Sequence, residues 1–129
     1  MLLIEEKTQL IIKCFYKVYN KLGYGFLEKV YENSLVIELE KEGFSCLQQV
    51  PVPVYYDNIE VGFYFSDIIV DNELIIELKA VEGEIIKQHE SQLLNYLKAT
   101  ELNVGLIFHF GIKPTFKREL FTINNLPPV

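Results

Sequence analysis

The chain has 129 residues, half of them hydrophobic and 23% charged, with a net charge of −6. That length can bury a core without disulfides or structural metal, and the composition excludes a disordered chain. The acidic balance argues against binding nucleic acid through overall charge, but leaves room for a local basic groove built from Lys79, Lys87, Lys98, Lys113, Lys117 and Arg118.

One domain is expected over residues 1–129, since no stretch reads as a linker, an internal repeat or a low-complexity segment. The start, MLLIEEKTQLIIKC, meets acids and a lysine before any long apolar run can form. It therefore reads as neither signal peptide nor membrane span. Cys14 and Cys46 stand alone, without CxxC or Cys/His spacing, so they are expected to be reduced and buried in a cytoplasmic protein.

Residues 5–22 place Ile11, Cys14, Phe15, Val18 and Leu22 at three- and four-residue steps, the spacing of an amphipathic helix that Gly23 and Gly25 end. A second helix is expected from Leu27 to Lys41, stopping at Gly43. Its first turn holds Glu28 at the head of an apolar stripe, Tyr31, Leu35 and Leu39. The helix dipole alone accounts for a carboxylate there. CLQQVPVPVYY, residues 46–56, alternates and is β-branched or aromatic, but its two prolines lack ladder donors and predict an edge or irregular strand. Asp57-Asn58 supplies a turn, 59–70 the next strand, Asp71-Asn72 another turn and 74–80 a third strand. From Ile85 to Thr100 the period becomes helical again. VGLIFHF, residues 104–110, reads as a strand buried on both faces, as one reached by a helical crossover would be. A last strand or tail is placed around Arg118 to Ile123, before Leu126-Pro127-Pro128. The sum is an α/β fold, a mixed β-sheet with helices on its faces.

Chemistry concentrates in LIIELKA. Along a strand, Glu77 and Lys79 point to one face and Leu74, Ile76 and Leu78 to the other. Asp67 is a second acid in an apolar strand, and such charges are costly unless paired or bound to a cation. A two-residue loop at Asp71-Asn72 would put Asp67 and Glu77 on opposite sides of the sheet. A three-residue loop, Asp71 to Glu73, or one bulge sets them opposite each other with β-carbons about 5 Å apart. The odd register is the expectation. Two such carboxylates are hard oxygen ligands suited to Mg2+ or Mn2+, with Glu28 adding a third and Lys79 able to orient water or stabilise charge on a phosphate.

Simpler accounts exist for each part. Glu77 and Lys79 can form an exposed salt bridge, and Gln88, Gln92 and Tyr96, at four-residue steps, can be a solvated helix face. His89 is more often a surface residue than a ligand, and His109 reads as core.

As an ensemble, GFLEKVY (Gly25 to Tyr31), QQVPVPVYY, the Asp67 strand, IIELKAVE, QLLNYLKAT and VGLIFHFG resemble the GxxExxY family of the PD-(D/E)XK nuclease-like superfamily over residues 8–120. The resemblance implies a restriction-endonuclease-like core. It assigns Asp67, Glu77 and Lys79 as the D…ExK site and Glu28 as the helix acid. Gln92 and Tyr96 resemble the QxxxY element that helps position nucleic acid beside such sites. One departure is His109, where the family is expected to favour asparagine. The implied activity is hydrolysis of phosphodiester bonds in DNA or RNA, dependent on Mg2+ or Mn2+. The alternatives are a catalytically inactive nuclease-fold module that binds a protein or nucleic acid, and a structural homo-oligomer joined through the apolar stretch VYYDNIEVGFYF.

Overall fold

The computed structural model describes residues 2–121. Helix α1, Ile4–Leu22, buries Ile11, Cys14, Phe15 and Val18, and stops where Gly23 turns to φ 72° with its N–H bonded to Tyr19 O. Helix α2, Glu28–Lys41, buries Tyr31, Leu35 and Leu39. Its end is a Schellman turn: Gly43 N–H reaches Glu40 O at 3.0 Å, Phe44 N–H reaches Leu39 O at 3.1 Å, and Gly43 sits at φ 92°.

Strands β1 (Cys46–Tyr56), β2 (Ile59–Val70) and β3 (Leu74–Lys79) form an antiparallel meander. Helix α3 (Lys87–Thr100) then carries the chain to β4 (Val104–Phe110), which pairs parallel with β3, and β5 (Pro114–Leu120) closes the sheet antiparallel to β4. The strand order is β1-β2-β3-β4-β5. This is the expected α/β architecture, a mixed sheet flanked by helices. None of the described helices is long and apolar enough to cross a membrane.

Both Asx-Asn turns adopt left-handed backbone. Asp57 and Asn58 have φ 49° and 61°, the conformation a tight hairpin requires and these residue types tolerate. Asp71 and Asn72 have φ 52° and 54°. At this second turn Val70 pairs with Leu74, so the loop is Asp71 to Glu73 and the odd register holds. Lys7 of α1 fastens that loop, reaching Asp71 at 3.0 Å and Glu73 at 2.7 Å.

Side-chain alternation divides the apolar residues between two layers. Leu74, Ile76 and Leu78 of β3 join Ile68, Leu106, Phe108 and Phe110 under α1 and α2. Here Phe15 stacks on Phe108 at 4.3 Å and Tyr31 on Phe110 at 4.2 Å. On the other side Ile69, Ile75 and Ile107 meet Leu93 and Leu97 of α3. The helix comes so close at Gly105 that an added Cβ would lie 2.7 Å from Leu93 Cδ1. All seven residues of β4 are buried, as its mostly apolar run requires, with His109 the one polar residue among them.

The last strand begins earlier than its sequence suggests, at Pro114 rather than near Arg118. Proline is tolerated at a strand start, and the charges of PTFKREL hide a half-buried set, Pro114, Phe116 and Arg118, alternating with exposed Thr115 and Lys117. Thr122, Ile123 and the Leu126-Pro127-Pro128 tail lie outside the described residues. Cys14 is buried but Cys46 only partly so; desolvation pushes both thiols up to about 11.

Candidate active site

The pairing of β2 with β3 ends at Ile68 and Ile76, and the next residue of each strand is an acid, Asp67 and Glu77. At that point the strands part. Asp67 Oδ2 accepts the Leu78 N–H at 2.8 Å, so a carboxylate stands in for the missing ladder carbonyl. Glu77 is only 8% exposed and receives the buried Ser66 hydroxyl at 3.2 Å.

Burial is the main reason the Glu77 carboxyl is pushed up to about 9, and the neighbouring Asp67 charge and a side-chain hydrogen bond with Asp67 add to it. Ser66 and the Asp67 backbone N–H oppose the rise. A carboxyl buried beside a second acid at the end of a sheet favours its protonated form, and a cation can take the place of that proton.

Glu28 reaches the same place from the first turn of α2. Its carboxyl is raised by burial and by Asp67, and lowered by the Lys79 ammonium and the Ala80 N–H. It therefore faces Asp67 and Lys79. The segment before it is held by Tyr31, whose hydroxyl donates to Gly23 O at 2.6 Å and accepts from Phe26 N–H at 3.2 Å. That is a physical reason for a tyrosine three residues after the acid: its ring is buried in the core while its hydroxyl ties down both ends of the turn that delivers Glu28.

Tyr96 lies on the α3 side of the site, where burial and then Glu77 and Asp67 raise its hydroxyl. Its ring stacks on Tyr64 of β2 at 3.5 Å between centroids. Gln92, one turn earlier, is half-buried, while Gln88 is exposed. His89 is held below its usual range by burial, Lys79 and His109. Opposite Lys79 on β4, buried His109 makes a 2.7 Å hydrogen bond with Val81 O; a carbonyl can only accept, so Nε2 carries the proton. Histidine thus serves where asparagine was expected, as a donor holding the loop after β3.

Four contributors escaped the sequence reading. Ser66 contacts Glu77, and Tyr64 backs Tyr96. Gln49 Nε2 donates to Glu32 Oε1 at 2.9 Å and to Asp67 Oδ1 at 3.3 Å. Glu32 is buried and also takes Gln48 Nε2 at 2.7 Å and Lys29 Nζ at 3.0 Å. Gln49 has φ 52°, and the β1–β2 pairing skips it and Asp67 together. Only the glutamine pair in CLQQVP signalled any of this, and nothing in it announced a left-handed residue.

Asp67, Glu77, Glu28 and Lys79 thus converge on one end of the sheet. Among the described residues no three His, Cys, Asp or Glu side chains already stand at metal-holding distances. Of the cations proposed for a groove, Arg118 is taken by Glu5 through both guanidinium nitrogens.

A mixed sheet between helices, with an acid at the end of one strand and Glu-x-Lys on the next, defines a nuclease-like α/β core. A family description, the PD-(D/E)XK nuclease superfamily, matches residues 5–120, and the chain belongs to that superfamily. The crystal structure of SSO0001 is similar in fold, with a TM-score of 0.52 at 17% identity over 90% of this chain. The chain spans 58% of that protein's length. No curated protein gives a significant match.

Proposed function

We propose that the chain is a divalent-metal-dependent nuclease of the GxxExxY type, cleaving phosphodiester bonds of DNA or RNA in the cytoplasm. The observation that carries this reading is the contact between Asp67 and buried Glu77, with Lys79 on the same strand and Glu28 facing them. The donor set fits Mg2+ or Mn2+: every candidate ligand is a hard carboxylate oxygen. Asp67 and Glu77 would hold the ion and Glu28 would stand beside it. A bound cation polarises the phosphate and lowers the pKa of a water ligand.

The chain's own residues supply the rest. Asp67 is aimed by the Leu78 N–H and by Gln49, and Glu77 by Ser66. Lys79 brings a positive charge to the developing phosphate oxyanion. Tyr96 and Gln92 line the approach from α3 and would position the nucleic-acid backbone.

One observation favours a second reading, a catalytically inactive module binding protein or nucleic acid: the carboxylates are not gathered at metal-holding spacing among the described residues. Isothermal titration with Mn2+ beside a DNA and RNA cleavage panel separates the two. The nuclease reading expects Mn2+ binding and metal-dependent cleavage, the latter lost in folded Glu77→Ala and Lys79→Ala variants. Metal-dependent thermal stabilisation that survives Asp67→Ala with Glu77→Ala refutes the assigned site; no Mn2+ binding and no cleavage supports the inactive module.

A further inference from the structure

The β1–β2 hairpin carries an uncovered apolar face that the site does not use. Cross-strand pairs Pro51–Phe65 and Pro53–Phe63 stand side by side; past them a bulge sets Tyr55 opposite Glu60 with Val61 as the extra residue, which brings Tyr55 and Val61 beside the same face. Phe63 and Phe65 make an edge-to-face pair at 5.5 Å. On the opposite side of the hairpin, Val52 is buried and Tyr64 is stacked on α3, so near the sheet that face is packed while the Phe63–Phe65 face is bare; toward the turn Val54, Tyr56 and Ile59 are exposed as well.

Its size is that of an interface. Phe63, Phe65 and Tyr55 are 61%, 53% and 61% exposed and Val61 63%. At about 200 Å2 for a full aromatic side chain and somewhat less for valine, these four present roughly 450 Å2 of apolar surface. A standard interface buries about 800 Å2 on each partner, a little over half of it apolar, or about 450 Å2.

The chemistry narrows the occupant. Aromatic side chains can stack on unpaired bases, but such platforms run beside cations that hold the phosphates. Between Lys41 and Lys79 there is no lysine or arginine, while Glu42, Asp57, Glu60, Asp67, Asp71, Glu73 and Glu77 are all acidic. A polyanion is repelled here. Nor does the free edge of β1 invite strand addition, since Pro51 and Pro53 lack the N–H groups an added strand would need. What remains is contact through the face. The six residues bear no charge, so the patch is complementary to itself even in an acidic chain, the condition for a two-fold interface.

We propose that this face docks a second copy of the chain, with the two-fold axis near Phe63 and Phe65. The nearest charge, Glu60 opposite Tyr55, then falls at the two far rims, where like charges stay apart and in water. The pairing is independent of the metal and of cleavage.

Analytical ultracentrifugation of the full chain over about 1–200 μM tests this. A dimer is expected, with Phe63→Glu and Phe65→Glu together weakening association at least a hundredfold. Both side chains are exposed, so circular dichroism should be unchanged. The control, Ile37→Glu, alters a 57% exposed residue on α2 and should leave the dimer intact. A wild-type monomer at 200 μM, a dimer that survives the double variant, or one lost equally in the control overturns the proposal. In the monomer case, binding of an oligothymidylate or of neutral phosphatidylcholine vesicles that depends on Phe63 and Phe65 would assign the face to that occupant instead.

Discussion

Replacing Glu77 by glutamine should stabilise the metal-free protein at neutral pH while abolishing cleavage. Glutamine keeps the acceptor for the Ser66 hydroxyl, which lies 3.2 Å from Oε1, and offers Asp67 an N–H where the protonated acid offers its O–H. A carboxyl whose folded pKa is raised favours the folded state only while protonated. Its contribution is full below the unfolded value of 4.5 and is lost as pH rises through the folded value of about 9. At pH 7 the unfolded chain has lost this proton and the folded chain keeps it. The difference of about 2.5 pH units corresponds to about 3 kcal/mol, which Glu77→Gln removes. In a domain of this size that amounts to roughly 10 °C or slightly more in Tm. Thermal melts in chelator at pH 4, 7 and 8.5 would show coincident Tm values at pH 4 and a widening lead for the variant above it. Saturating Mn2+ should then raise the wild type and leave the variant in place. A variant less stable than wild type at pH 8.5 in chelator would refute both the buried proton and the carboxylate pair built on it.

Tyr31→Phe should cost about 1–2 kcal/mol in urea unfolding and weaken Mn2+ binding by titration, because the turn that presents Glu28 loses both its ties. Gln49→Ala should leave the fold intact but lower Mn2+ affinity about tenfold, since Asp67 loses a donor that aims it. Glu38 is held down to about 2, first by its bond to Lys17. Its depressed pKa contributes stability above the unfolded value of 4.5 that is lost as pH falls toward 2, so urea midpoints of wild type and Glu38→Gln should differ at pH 7 and converge near pH 2. Gly105→Ala should destabilise by about 1–3 kcal/mol in the same assay, because Leu93 already fills the place of the new methyl group.

What the sequence made legible was whatever a short spacing controls. The Gly23 and Gly43 helix ends, the Asp57-Asn58 turn and the doubly buried VGLIFHF strand all follow from residues within one or two turns of each other. The Asp67–Glu77 register was legible as well, because one loop residue decides which face an acid takes. The carboxylate aids were not. Gln49 reaches Asp67 and Glu32 only where the β1–β2 pairing skips a residue on each strand, Ser66 reaches Glu77 across to β3, and the left-handed backbone at Gln49 has no glycine or asparagine to announce it. Pro114 as a strand start was hidden for another reason: on this edge strand the half-buried set includes a charged residue, Arg118, so alternation in burial does not show as alternation in polarity.

The central place of β3 has a kinetic consequence. From Leu74 to Ile76 it is paired with β2 on one side and β4 on the other, with apolar layers above and below, so hydrogen exchange there should require opening of the whole sheet. Glu77 and Lys79 continue this strand past the end of its pairing with β2, still paired along β4. Glu28 follows a segment whose Gly23 and Gly25 both take positive φ and whose Tyr24, Phe26 and Leu27 are exposed. One acid extends from the most protected part of the chain and another follows a short exposed approach, so a movement of Glu28 leaves the sheet that anchors Glu77 undisturbed.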